Sequence, residues 1–124
     1  MKFENKQYVR WDDLDALGHV NNAKYLTYAQ EARFAWSSML EMVVARAEVD
    51  FKAPIYDGNI FVDVTLWVES IGTSSFTMVY EISYNGEALA RVKTVQVTVS
   101  LETKKSRPVN ETEREFLSKY LETE

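Results

Sequence analysis

From Ala45 to Leu101 the chain alternates apolar and polar side chains through one run after another. No other feature limits its fold as much. Ala45, Ala47, Val49 and Phe51 alternate with Arg46, Glu48, Asp50 and Lys52. Pro54 and the Asp57-Gly58 pair then break the run with a turn. Ile60, Val62, Val64, Leu66 and Val68 alternate with Phe61, Asp63, Thr65, Trp67 and Glu69, and Gly72 marks the next turn. Phe76, Met78, Tyr80, Ile82 and Tyr84 form a third run, closed by Asn85-Gly86. That dipeptide is the strongest short hairpin signal, because both of its residues must tolerate positive φ. A last run from Glu87 to about Leu101 carries Val95, Val97, Val99 and Leu101 on one side. Successive strand side chains leave opposite faces, so alternation of this kind specifies half-buried strands.

One long helical pattern precedes the strands. Tyr25, Ala29, Ala32, Trp36, Met39 and Val43 recur at helical spacing, and Leu26, Phe34 and Ala35 widen the apolar surface. The pattern predicts a helix from about Asn22 to Leu40, roughly 19 residues and near 28 Å long. Its alanines keep it slim enough to lie in the hollow of a sheet. A loose alternation over residues 2 to 10 predicts a first strand. Asn110 with Glu113 three residues on reads as a capping box. It would open a short terminal helix whose inner side is Phe116, Leu117, Tyr120 and Leu121.

The order is strand, long helix, then four long strands joined by hairpins. It predicts an α+β fold in which one antiparallel sheet curls around one helix. One helix cannot cover both faces of a sheet. Phe61 and Trp67 on the outer face therefore predict contact with another subunit.

The 124 residues suit a single domain spanning 1–124. With no cysteine and one histidine, disulfides are excluded and a conventional zinc site is disfavoured. A net charge of -5 gives no general electrostatic footprint for nucleic acid. No apolar run is long enough to span a membrane, and the first residues lack the apolar core of a signal peptide. The expectation is a cytoplasmic protein.

Polar chemistry is concentrated ahead of the helix, where Arg-Trp-Asp-Asp-Leu-Asp-Ala-Leu-Gly-His-Val-Asn-Asn occupies residues 10 to 22. Gly18 permits a tight turn, and Asn21 or Asn22 can cap the helix. The free N–H groups at a helix start favour negative charge. A carboxylate a few residues from such donors is half of a hydrolytic site. Asp12 and Asp13 read as turn and salt-bridge residues. Lys104, Lys105 and Arg107 read as a solvated tail or, alternatively, as a landing site for substrate phosphates.

The run Asp15-Ala16-Leu17-Gly18-His19-Val20-Asn21-Asn22-Ala23-Lys24-Tyr25 resembles the hotdog-fold acyl thioesterases. It is most similar to the branch of 4-hydroxybenzoyl-CoA thioesterases. Phe51 to Gly58 and Ile71 to Phe76 extend the likeness over nearly the whole chain. The resemblance implies a hotdog fold and hydrolysis of an acyl-CoA thioester. It implies that Asp15 acts as nucleophile or as general base, and that the backbone N–H of Asn22 polarises the carbonyl. Plant acyl-ACP thioesterases share a motif whose ends match Asp15 and His19, with Leu17 in place of its asparagine. His19 is accordingly either catalytic or a residue that positions the loop.

Another branch carries a glutamate on the helix, which makes Glu31 a minor candidate. Tyr25, Tyr28 and Trp36 are expected to line an acyl tunnel. Ser74 and Ser75 are read either as turn residues or as substrate contacts across a subunit boundary. A thioester is already activated, so no metal or cofactor is required. A homodimer or homotetramer is expected. The competing readings are an acyl-binding hotdog protein without activity, an acyl-ACP thioesterase, and a hotdog dehydratase or hydratase.

Overall fold

The computed structural model describes residues 1–39 and 41–122. Five strands and two helices follow in the order β1 (Phe3–Val9), α1 (Lys24–Trp36), β2 (Met42–Phe51), β3 (Ile60–Ile71), β4 (Ser75–Tyr84), β5 (Glu87–Thr98) and α2 (Glu111–Lys119). A single 3-10 turn at Trp11–Asp13 follows β1. The strands form one antiparallel sheet ordered β1-β3-β4-β5-β2.

The hairpins form where turn chemistry predicts them. Asn85 and Gly86 both take positive φ, +50° and +81°, between β4 and β5. The hairpin expectation fails between β2 and β3. These strands are not neighbours: β2 pairs with β5 at one edge and β3 pairs with β1 near the other. The segment from Lys52 to Asn59 therefore crosses between edges instead of turning back. Alternation within a strand carries no information about its neighbour.

Helix α1 is shorter than predicted. It runs from Lys24 to Trp36, and Ser37 is already extended at φ -142°. The Ser37 hydroxyl accepts from the Met39 amide at 3.1 Å. Such local bonding competes with helical hydrogen bonds and ends the helix early. Leu40, the predicted last residue, lies outside the described residues. At the other end the N-cap is Ala23, with no side-chain capping bond, so neither Asn21 nor Asn22 caps the helix as expected; Asn21 Oδ1 accepts from the Ala23 amide at 3.0 Å and shapes the turn ahead of it.

Tyr25, Tyr28, Ala29, Ala32, Arg33 and Trp36 are buried on one stripe of α1. They lie over the inner face of the sheet, where Val62, Val64, Leu66, Phe76, Met78, Tyr80, Ile82 and Val92 are sealed. Ala29 and Ala32 let the helix axis approach closely. Leu26 and Phe34, predicted to widen this stripe, are exposed instead. Helix α2 has the expected capping box: Glu113 N donates to Asn110 Oδ1 at 2.8 Å and Asn110 N to Glu113 Oε1 at 3.0 Å. Its Phe116, and Tyr120 just past its end, pack on Trp36 at the far end of α1.

On the outer face Trp67 is buried within the single chain. Lys2 Nζ lies 4.3 Å from its ring centroid and the Arg91 guanidinium 5.6 Å. Long cationic side chains thus cover Trp67, while Phe61, the other residue of that expectation, stays exposed beside Tyr8. The larger exposed apolar residues nearest α1 lie elsewhere: Leu26 and Phe34 on the helix, and Val43, Val44 and Phe51 on β2.

Candidate active site

Between β1 and α1 the chain makes a small tied loop. Leu14 and Val20 pair as an antiparallel bridge, and Gly18 turns at φ +83°. Asp15 N donates to His19 O at 2.9 Å, Gly18 N to Asp15 O at 3.0 Å, and Asn21 N to Asp13 O at 2.9 Å. These bonds bring Asp15 and His19 together, with Oδ1 of Asp15 3.9 Å from Nδ1 of His19. Each side chain keeps about a third of its surface exposed, at 31% and 33%. Asp15 Oδ1 also accepts from the Leu17 amide at 2.9 Å.

The deeply buried acid of the loop is Asp13. Its Oδ2 accepts from Tyr28 Oη at 2.7 Å and from Arg10 N at 3.1 Å, and its Oδ1 faces Arg10 Nη2 at 3.2 Å and Lys24 Nζ at 3.8 Å. Burial works against its charge. The hydrogen bonds from Tyr28 and Arg10 outweigh it and hold the carboxyl below the usual range. For Tyr28, burial and then the Asp13 carboxylate push the phenol up. Asp13 is the salt-bridge residue the sequence suggested, and it fastens the loop to α1.

His19, Val20, Asn22, Tyr25, Phe51, Lys52, Ala53 and Pro54 line a crevice of about 200 Å³ at the start of α1. Tyr25 is 2% exposed and meets Phe51 edge-on, with centroids 5.1 Å apart. Burial raises its phenol pKa, and a bond with the Ile55 backbone partly offsets this. The Ala23 amide donates to Asn21 Oδ1 and the Lys24 amide to Asn21 O. The Asn22 amide donates to nothing among the described residues. Asn22 stands one residue before the N-cap Ala23, in the turn that leads into α1, and a free N–H there is a donor an oxyanion could use.

Asp15 itself borders the other side of the turn, in a depression with Trp11, Asp12, Leu14 and Gly18. His19 is the residue that joins the two sides.

The remaining candidates separate. Ser74 and Ser75 lie in the β3–β4 turn, where Ser74 O accepts from Thr98 N and Ser75 O from Gly72 N. Within one chain they line neither hollow of the loop. Tyr28 and Trp36 do not line the crevice either. Trp36 is eleven residues beyond Tyr25, about 17 Å along the helix. Glu31 is exposed. Lys104 and Lys105 are exposed, while Arg107 turns inward to Glu113 at 2.8 Å and Glu41 at 3.4 Å. That pairing drives Arg107 further toward its charged form and, mainly through the same hydrogen bond, lowers the Glu113 carboxyl. Lys52 is the crevice cation that the sequence reading did not single out. Its position beside Pro54, directly after a strand, was the available signal. Among the described residues no three His, Cys, Asp or Glu side chains converge to hold a metal. No described helix is long and apolar enough to cross a membrane.

A helix in the hollow of an antiparallel sheet, with an Asp-Gly-His loop at its start, defines a hotdog fold of the thioesterase type. The chain belongs to the thioesterase-like superfamily, whose model matches residues 9–117, and it is a thioester hydrolase. A predicted thioesterase from Bacillus stearothermophilus superposes with a TM-score of 0.92 at 26% identity, covering 100% of this chain and 99% of that one. A Thermus thermophilus thioesterase complexed with coenzyme A and Zn has 33% identity and a TM-score of 0.86, covering 94% and 92%. The 1,4-dihydroxy-2-naphthoyl-CoA hydrolase of Synechococcus elongatus is 22% identical over 93% of this chain and 94% of its own length.

Proposed function

We propose that this chain hydrolyses acyl-CoA thioesters to a free acid and coenzyme A, with Asp15 as the catalytic carboxylate and the Asn22 amide as oxyanion donor. What supports the reading is that Asn22, whose N–H has no partner among the described residues, lines one crevice with His19, itself 3.9 Å from Asp15. Water adds to the thioester carbonyl while Asp15 takes its proton. The oxyanion is held by the Asn22 N–H. The C–S bond then breaks, and the departing sulfur takes the proton back. Direct attack by Asp15 would need its oxygen about 3–3.5 Å from the carbonyl carbon. Because Asp15 lies across the turn from the crevice, the water route fits better. His19 orients the carboxylate. Lys52 at the crevice wall supplies the positive charge that a coenzyme A phosphate would meet. Coenzyme A is bound by the Thermus thermophilus relative.

The crevice is small beside ligand pockets, which run about 300–1,000 Å³. We propose that a second copy completes it. The free edge of β2 carries Val43, Val44, Ala45 and Ala47, all exposed. An apolar edge strand with unpaired backbone groups is a template for another strand. The opposite edge, β1, carries Glu4 and Lys6.

Thiol release from a panel of acyl-CoAs tests the activity. Asp15→Ala should abolish release, by about 10³-fold or more, and leave the melting temperature within a few degrees, since its side chain is partly exposed. Full activity in that variant would remove Asp15 from the mechanism. Binding without release would leave an acyl-binding protein.

A further inference from the structure

Two lysines that the thioesterase site leaves unused stand near the tip of a hairpin that prolongs β5. Val99 bridges Ser106 across it, and Ser100 N donates to Lys105 O at 2.9 Å. At the tip Lys104 N donates to Ser100 O at 2.8 Å, Thr103 N to Ser100 Oγ at 3.2 Å and Lys105 N to Thr103 Oγ1 at 3.3 Å. Arg107 clamps the base by pairing with Glu113 and Glu41. Lys104 takes φ +61°, in the left-handed region. A side chain is disfavoured there, and glycine or asparagine is the usual occupant. Lys104 and Lys105 are exposed and pair with no carboxylate among the described residues. A lysine held in a tied turn, at a backbone angle that disfavours it and without a counter-charge, points to a use for its charge.

Within one subunit they are out of reach of the crevice. Val99 N donates to Glu41 O at 3.0 Å and Leu101 N to Glu41 Oε1 at 3.3 Å, so the hairpin stands beside the start of β2. The crevice opens at the other end of that strand, at Phe51 and Lys52. The ten residues of β2 lie between, about 33 Å of strand. A second copy on the β2 edge changes the distance. A two-fold axis through that edge sets the two β2 strands antiparallel, so each contact between two positions occurs twice. Centred on Ala45, the middle of the exposed run 43–47, the pairing puts Glu41 of one subunit opposite Val49 of the other. β5 runs antiparallel to β2. The hairpin that continues β5 therefore passes Glu41 in the direction in which the partner's β2 runs on to its own crevice. Val99 is level with Glu41, and residues 99 to 102 advance about 10 Å, as do residues 49 to 52 of the partner. The hairpin tip thus comes beside the partner's Lys52.

We infer that Lys104 and Lys105 of each subunit hold the phosphates of a coenzyme A thioester bound in the crevice of the other. Coenzyme A carries a pyrophosphate and a 3′-phosphate. Lys52 is the one residue with a full positive charge among those lining the crevice, and the chain as a whole carries -5. The partner's two lysines supply the phosphate contacts that a single cation leaves unmade. One subunit gives the reacting groups and the other the phosphate contacts, so the site is complete only in the pair. The inference rests on the thioesterase reading and on the second copy at the β2 edge.

Mixed subunits test it. Lys104→Glu with Lys105→Glu should raise KM for an acyl-CoA about tenfold, the worth of two exposed ion pairs. It should lower by the same factor the preference for that acyl-CoA over the matching acyl-pantetheine, which has no phosphate. This double variant keeps Asp15 and lacks the lysines; Asp15→Ala keeps the lysines and lacks the acid. Co-expressed with different tags and purified on both, the two chains form pairs in which the intact Asp15 faces the partner's intact lysines. Those pairs should hydrolyse acyl-CoA with the wild-type KM. A KM still raised tenfold overturns the inference, because the lysines then act within their own subunit. So does a double variant whose KM and preference equal wild type, or a wild-type chain that releases thiol while light scattering finds a monomer. If no thioester is cleaved, the thioesterase reading fails, and calorimetry with coenzyme A against pantetheine decides. Coenzyme A binding about tenfold weaker in the double variant upholds the phosphate contacts, and equal affinity overturns them.

Discussion

Removing the Tyr28 hydroxyl tests whether Asp13 is what fastens the loop to the helix. Tyr28→Phe deletes one bond, the 2.7 Å contact from Oη to Asp13 Oδ2, and keeps the ring in its buried place. Asp13 is 3% exposed, so water cannot easily replace the donor. A hydrogen bond to a buried charge contributes about 1.5–3 kcal/mol. In a domain of this size that corresponds to a fall in melting temperature of about 6–12 °C. The pH dependence gives a second reading. The Asp13 carboxyl is held below its unfolded value. Its contribution is therefore fully present above about pH 4, the unfolded value, and is lost as pH falls through the lower folded value. Wild type and Tyr28→Phe should accordingly differ most at pH 7 and converge toward pH 2. Thermal unfolding followed by circular dichroism over that range measures both. Equal melting temperatures at pH 7 would refute the reasoning, as would a gap that stays unchanged at pH 2.

Other consequences concern the site and its surroundings. Lys52→Glu should raise KM for an acyl-CoA about tenfold with kcat within twofold, since it alters binding charge and leaves the reacting groups in place; steady-state kinetics at two salt concentrations checks this. A Cβ at Gly58 would sit 2.8 Å from Trp11 Cα and 3.1 Å from Trp11 N, both backbone atoms. Gly58→Ala should therefore destabilise by about 1–3 kcal/mol and lower kcat by displacing the loop, read from urea unfolding and turnover on one sample. Lysines at Val43 and Ala45 together should block strand pairing at the β2 edge. Light scattering should then show a monomer with lost activity, and an unchanged mass would place the subunit contact elsewhere.

Much of this molecule is determined by residues close together in the chain. The strand runs, the Asn85-Gly86 hairpin, the Asn110–Glu113 capping box and the Asp15–His19 loop all follow from spacing and turn chemistry. Each needs only neighbours a few residues away. The helix end was misread because Ser37 competes with the helix, a local effect that apolar periodicity does not register. What tertiary structure alone decided is which surfaces meet. Pairing with β5 rather than β3 sent β2 to an edge and left its inner face uncovered. Lys2 and Arg91 closed over Trp67, which alternation had marked as open. The β3–β4 turn carried Ser74 and Ser75 away from the loop, and the helix stripe buried Arg33 with no acid opposite it among the described residues. Periodicity tells a side chain which face of its own element it occupies. Only closure of the sheet around α1 fixes what, if anything, stands across from that face.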